Sequence, residues 1–127
     1  MTQTLTIDIW SDVMCPWCII GFRQLARALE ETGTAHEIHW HPFELNPDMP
    51  AEGQNMSEHI IEKYGSTPEQ SAANRAQITQ LGGELGFTFA FTDDTRMHNT
   101  FAAHQVLHWA GEQGRMHDLK MVLFAAH

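Results

Sequence analysis

The chain has 127 residues, with sixteen acidic side chains against seven basic ones for a formal charge of −9, 43% apolar residues and four tryptophans. This is enough apolar material for one buried core and too little length for two ordinary domains, which excludes a disordered chain. Scattered basic residues such as Arg23, Arg75 and Lys120 exclude a phosphate-binding face and nucleic acid as a partner, apolar runs such as Val122 to Ala126 fall far short of a membrane-spanning helix, and Met1 to Trp10 lacks a secretory signal, so a cytoplasmic location is expected.

Leu5, Ile7 and Ile9 alternate with Thr4, Thr6 and Asp8, which predicts a strand with one buried face ending near Trp10. After the turn residues Ser11 and Asp12, the spacing of Cys18, Phe22, Leu25 and Leu29 predicts a helix from about Cys15 to Glu31, stopped at Gly33. A second strand is expected over Ala35 to His41, where Ile38 and Trp40 alternate with Glu37, His39 and His41 and Pro42 ends the ladder. Strand, helix and strand at this spacing form a βαβ unit with a right-handed crossover.

Glu44 to Asn55, with Pro47 and Pro50, reads as an irregular connection. Ser57 is placed to cap a short helix through Tyr64, stopped by Gly65. Thr67-Pro68-Glu69-Gln70 supplies a capping hydroxyl, a first-turn proline and a glutamine three residues after the cap, so a helix should run from there to about Leu81, where Gly82 and Gly83 weaken it. Phe87, Phe89 and Phe91 should share one side of a short extended piece. Two further helices are expected, about Arg96 to Gln113 and from about Met116 onward, divided near Gly114. In the last of them Leu119, Val122, Leu123 and Ala126 form an apolar stripe running up to His127 without a C-cap, which implies a natural continuation of the chain or a face covered by another chain. The fold class is α/β with an incomplete sheet: one incomplete domain over 1–127, a βαβ half over 1–45 and a mostly helical insertion over 46–127.

Cys15 and Cys18 are the two cysteines, so no disulfide framework holds the fold, and a bond between them closes too short a loop to constrain the unfolded chain. Their value is chemical. Cys15-Pro16-Trp17-Cys18 follows a strand and opens a helix, where unpaired backbone N–H groups and the positive end of the macrodipole favour an ionised sulfur. Pro16 fits the first turn because its missing N–H would have been unpaired there. Cys18 lies near the same helix face and turns inward, placed to attack a mixed disulfide at Cys15. Cys15 is thus the expected attacking thiol and Cys18 the resolving one. Met14 and Trp17, apolar neighbours of the thiol, are candidate contacts for a thiol or disulfide substrate.

The run Ser11-Asp12-Val13-Met14-Cys15-Pro16-Trp17-Cys18-Ile19-Ile20-Gly21 resembles the active-site segment of the DsbA-like thioredoxin superfamily, its FrnE-like branch in particular. Phe43-Glu44-Leu45-Asn46-Pro47-Asp48-Met49-Pro50 with Glu52-Gly53, and Asn99-Thr100-Phe101-Ala102-Ala103-His104, are similar to the same branch and extend the likeness over nearly the whole chain. The resemblance implies a thioredoxin-like βαβ half with a helical insertion, and thiol-disulfide oxidoreductase or isomerase chemistry on a protein or small-molecule substrate, without a cofactor. Family members are longer and return to further strands through a cis-proline loop, a part that none of Pro16, Pro42, Pro47, Pro50 and Pro68 can play. Ile9 stands six residues before Cys15, where many thioredoxin-like proteins bury a proton-accepting acid, so the acceptor for the Cys18 proton is left open. Ile19 replaces a tyrosine frequent in the branch.

A zinc site needs four nitrogen or sulfur ligands; no second CxxC exists, and His39 and His41 belong on the polar face of a strand beside His36, so no metal is expected. His104 and His108 lie four apart on a helix and read as one packed and one solvated histidine; His59, His98 and His117 show no constellation. Trp10, Trp40, Phe43, Phe101 and Trp109 are expected in the core, and Asp93-Asp94 and Glu30-Glu31 on the solvated surface. The first strand, lacking a partner on one edge, should pair with a second copy as a homodimer or with an exchanged segment. Two other readings compete: a glutathione-dependent isomerase or transferase of the kappa type, whose members commonly have serine at the position of Cys15, and a truncated interaction fragment whose motif is idle.

Overall fold

The computed structural model describes residues 3–92 and 94–126. Strand β1 (Leu5–Ser11), helix α1 (Pro16–Thr32) and strand β2 (His36–Pro42) form the expected βαβ unit, followed by β3 (Gln54–Asn55), α2 (Met56–Tyr64), α3 (Pro68–Glu84), β4 (Arg96–Met97), α4 (Phe101–Glu112) and α5 (Met116–Ala125). The chain forms two compact units, Met1–Leu45 with Thr100–His127 and Asn46–Asn99.

In the first unit β1 and β2 pair in parallel, Leu5 opposite His36 through Ser11 opposite Pro42. Pro42 occupies the last rung, where its lack of an N–H interrupts nothing further along. Helix α1 makes the crossover, with Cys15 as its N-cap, Pro16 in its first turn and Gly33 as a left-handed C-cap. Ile19, Ile20 and Leu29 are its buried residues. Phe22 packs its ring 5.1 Å from Trp40 and 6.4 Å from Phe124, and Trp40 meets Phe124 edge-on at 5.9 Å. These three rings join α1, β2 and α5 in one apolar cluster.

Trp40 is the one member of the expected aromatic core that is buried, at 6% exposure. Trp10, Phe43, Phe101 and Trp109 all stand at the surface, Trp10 with 62% of its area exposed. Strand alternation explains Trp10: Ile7 and Ile9 face inward, so the next residue faces out, where the indole stacks on His41 at 4.4 Å. The apolar stripe expected on α5 is not packed inside this chain. The buried residues of that helix are Lys120 and Phe124, whereas Val122 and Ala126 are exposed and Leu119 and Leu123 half-buried. His127 and Asp93 lie outside the described residues; Asp94, Glu30 and Glu31 are exposed, as expected.

In the second unit, the capping box of α3 forms in full: Gln70 N donates to Thr67 Oγ1 at 3.1 Å and Thr67 N to Gln70 Oε1 at 2.9 Å. The helix passes through Gly82 and Gly83 to Glu84 instead of ending near Leu81. Gly82 is there for contact, since a Cβ at that position would lie 2.5 Å from the Phe89 ring. Phe87 and Phe89 are buried, Thr88 and Ala90 exposed, as the alternation predicts, although no ladder forms there. Helix α2 is capped by Asn55, whose Oδ1 accepts from Glu58 N, and not by Ser57.

The antiparallel β3–β4 pair was not foreseeable from periodicity, because each strand has two residues. It replaces the expected irregular Gln54–Asn55 and the first turns of the helix expected from Arg96, so α4 begins at Phe101 instead. Gly53 permits the close approach: a side chain there would collide with the Met97 carbonyl oxygen. His59 bonds Gln54 Oε1 and Asn46 Oδ1, both at 3.0 Å, and is structural.

Candidate active site

The Cys15–Cys18 segment is held by the start of α1. Cys15 has extended backbone dihedrals (φ −83, ψ 116), and its carbonyl accepts from Cys18 N at 3.1 Å and Ile19 N at 3.3 Å. Both thiols are free and half-buried. Met14 and Pro16 are half-buried and Trp17 is 44% exposed, so the Cys15 thiol sits between one partly covered and one open apolar side chain.

The Cys15 thiol is lowered to about 7, foremost by a hydrogen bond from the Cys18 thiol and then, against burial, by the N–H groups of Cys18 and Trp17; the Asp12 carboxylate opposes this. No hydrogen bond of capping geometry reaches the Cys15 sulfur, so the amides act as oriented dipoles. The helix start is therefore a secondary source of stabilisation, and the neighbouring thiol the primary one. Cys18 is pushed the other way, far above the ordinary thiol range, by that same hydrogen bond, by burial and by the charge of Cys15. Two sulfurs three residues apart acquire opposite tendencies, one toward the thiolate and one toward the thiol.

Three residues that the sequence analysis did not place at the site lie in this unit behind the cysteines. Asp12 is buried; Oδ1 accepts from Val13 N at 2.7 Å and Oδ2 from Leu45 N at 3.0 Å. Burial resists its charge, yet His104, the Leu45 N–H, Thr100 and the Val13 N–H bring the carboxyl down to about 2. His104, the packed member of the α4 pair, places Nε2 3.3 Å from Asp12 Oδ1, without the alignment of a hydrogen bond. His108 is solvated and lies 3.5 Å from Glu112. Lys120 is 1% exposed, with Nζ 3.4 Å from the Ser11 carbonyl oxygen and 5.0 Å from the centre of the Trp40 ring. Burial lowers its ammonium to about 8, while Cys18 and Asp12 oppose that shift.

His36, His39 and His41 engage Thr34 O, Glu37 and Asp8 respectively. No group of three histidine, cysteine or carboxylate side chains suited to a metal occurs among the described residues. No helix among them is long and apolar enough to cross a membrane. His117 Nδ1 accepts the Trp40 indole N–H at 2.9 Å, a role in packing α5 on β2.

Comparison with known proteins places this geometry in a family. The sequence model described as DSBA-like thioredoxin domain matches residues 6–127. The uncharacterized protein YwbO of Bacillus subtilis (strain 168) is 24% identical over 124 residues, which cover 98% of this chain and 56% of that protein. The crystal structure of the probable DsbA oxidoreductase SCO1869 from Streptomyces coelicolor superposes with a TM-score of 0.83 at 29% identity, covering 94% of this chain and 52% of that one. The chain spans about half the length of these relatives.

Proposed function

The chain belongs to the DSBA-like thioredoxin domain family, and from that premise we propose that it carries out dithiol–disulfide exchange with Cys15 as the attacking thiol and Cys18 as the resolving thiol. The observation that carries this reading is the placement of Cys15 as the N-cap of α1 with Cys18 in its first turn, the Cys18 N–H bonded to the Cys15 carbonyl; the opposite displacement of the two thiols, Cys15 toward the thiolate and Cys18 toward the thiol, supports it. A thiol at about 7 is roughly half ionised at neutral pH and remains a strong nucleophile, because its pKa lies close to the ambient pH. In the reducing direction the Cys15 thiolate attacks a substrate disulfide, forming a mixed disulfide and expelling one substrate thiolate. Cys18, once deprotonated, attacks Cys15 Sγ, closes the Cys15–Cys18 bond and releases the second substrate thiolate. The reverse sequence oxidises a dithiol substrate.

Trp17 and Met14 are the apolar contacts that a substrate meets beside the sulfur, and Pro16 fixes the first turn between the two thiols. On this reading the substrate is a protein or small-molecule thiol or disulfide, bound without a cofactor, and the outer edge of β1 is where a second copy pairs. The FrnE-like run from Ser11 to Gly21 supports placing the chain in that branch.

Pulse alkylation of the reduced protein across pH tests the assignment. Cys15 alone should react rapidly, with a rate midpoint at about 7, and Cys15→Ser should abolish reduction of a model protein disulfide. Equal, slow alkylation of both thiols through neutral pH contradicts the assignment.

A further inference from the structure

Of the three stretches that carry the family likeness, 11–21, 43–50 and 99–104, the exchange chemistry uses residues of the first alone. In the fold all three meet on one carboxylate, that of Asp12, through Val13, Leu45, Thr100 and His104. We propose that Thr100 and His104, one turn apart at the start of α4, are positioning residues for the exchange reaction: they hold the Asp12 carboxylate, and with it the turn that carries Cys15. The proposal rests on the assignment of Cys15 as attacking thiol.

Ser11, Asp12 and Val13 are buried, although they lead from the end of β1 into the bend before α1. Connections ordinarily run over the surface, where water satisfies their backbone groups. Here the Asp12 side chain takes the place of water, accepting from Val13 N at 2.7 Å and from Leu45 N at 3.0 Å. A carboxylate has about four lone-pair sites, so these two amides leave room for more donors. Helix α4 supplies them. The Thr100 hydroxyl donates to the carboxylate, and His104 brings Nε2 to 3.3 Å from Oδ1. A threonine at an N-cap ordinarily accepts from its own helix. Thr100 is the N-cap of α4, yet among the described residues its side chain makes no capping bond, and its hydroxyl serves Asp12. His104 N donates to the Thr100 carbonyl at 3.0 Å, so the two side chains leave the same face of the helix one turn apart. Burying an imidazole costs desolvation that an apolar side chain would avoid, and the Asp12 carboxylate is the polar group that His104 meets there.

Asp12 stands three residues before the nucleophile, and its negative charge opposes the Cys15 thiolate. Donors that face the carboxylate from α4 offset part of its field at the sulfur, and they fix where that charge sits. Without them the same carboxylate bears more strongly on Cys15. Thr100 and His104 therefore act on the thiol through Asp12, with no contact of their own to the sulfur required. The titratable groups that face this arrangement are Cys15 and Cys18 at the start of α1 and Lys120 on α5; His41 on β2 and His108 on α4 border the same small cavity as His104.

The pH profile of Cys15 alkylation in the reduced protein reads this action. His104→Leu and Thr100→Val should each move the midpoint up from about 7 by roughly half a pH unit, which slows alkylation on the acid side about threefold. His104→Gln, which returns an N–H donor toward Oδ1, should recover most of the shift. Asp12→Asn keeps the shape and loses the charge, so it should move the midpoint down, and His104→Leu added to it should have no further effect. A packing role for His104 would not be cancelled in that way. An unchanged midpoint in His104→Leu, no recovery in His104→Gln, or an equal upward shift when His104→Leu is combined with Asp12→Asn overturns the proposal. An unaltered protein without a midpoint near 7 would instead refute the Cys15 assignment. Where a variant fails to fold, nitrogen-15 NMR of the unaltered protein decides: His104 should carry a proton on Nε2 at neutral pH, and a bare Nε2 overturns the proposal.

Discussion

At Asp12, in the turn between β1 and α1, one carboxylate accepts from the buried Val13 amide and from the part-buried Leu45 amide beyond β2. Asp12→Ala should therefore cost about 2–4 kcal/mol in urea unfolding, the penalty for two orphaned amides. The carboxyl is lowered from 3.8 to about 2, so its stabilisation is complete above its unfolded value and is lost as pH falls through the folded one. The stability gap between the protein and Asp12→Ala should be constant near neutral pH and narrow from about pH 4 downward. A gap that stays constant to pH 2 would show that the charge plays no part. Asp12 also raises the neighbouring Cys15, so the residue that secures the turn holds the nucleophile closer to neutral pH than the amides and Cys18 would leave it.

Among the elements, α3 shows how one tertiary contact outweighs local preference. Glycine weakens a helix by about 1 kcal/mol relative to alanine, which is why the pattern predicts an end near Leu81. Phe89 packs over the bare face of Gly82, and the helix continues to Glu84. The two adjacent glycines should respond in opposite directions. Gly82→Ala pushes a methyl against the Phe89 ring and, at 2.9 Å, against the Phe87 carbonyl, so it should destabilise by about 1–3 kcal/mol. Gly83→Ala meets nothing within 4 Å and should stabilise by up to about 1 kcal/mol. Thermal unfolding of the two variants side by side tests this; loss of stability in both would mean that helix geometry, and not the ring, sets the requirement. The capping box of α3 and the C-cap of α1 were legible because their residues lie within four positions of one another. The α4 start was not, since a two-residue strand paired to Gln54–Asn55 takes Arg96–Met97 out of the helix.

For the molecule as a whole, the two-stranded parallel sheet leaves the outer edge of β1 without a strand partner among the described residues, beside the exposed Leu5 and Trp10. An open edge of this kind invites pairing. If a second copy fills it, light scattering at micromolar concentration should give a dimer mass, and a well-folded monomer would exclude that pairing. The βαβ unit, the CPWC motif at its helix start and the family likeness were readable from contiguous residues, because strand period, helix period and capping are properties of neighbours in the chain. The chemistry behind the motif was not. Lys120 meets the Ser11 carbonyl across 109 positions, His104 reaches Asp12 from another helix, and the outward Trp10 and inward Lys120 invert what hydrophobicity assigns to each. Burial and electrostatic partnership are set by which distant segments fold against one another, and no local pattern encodes that choice.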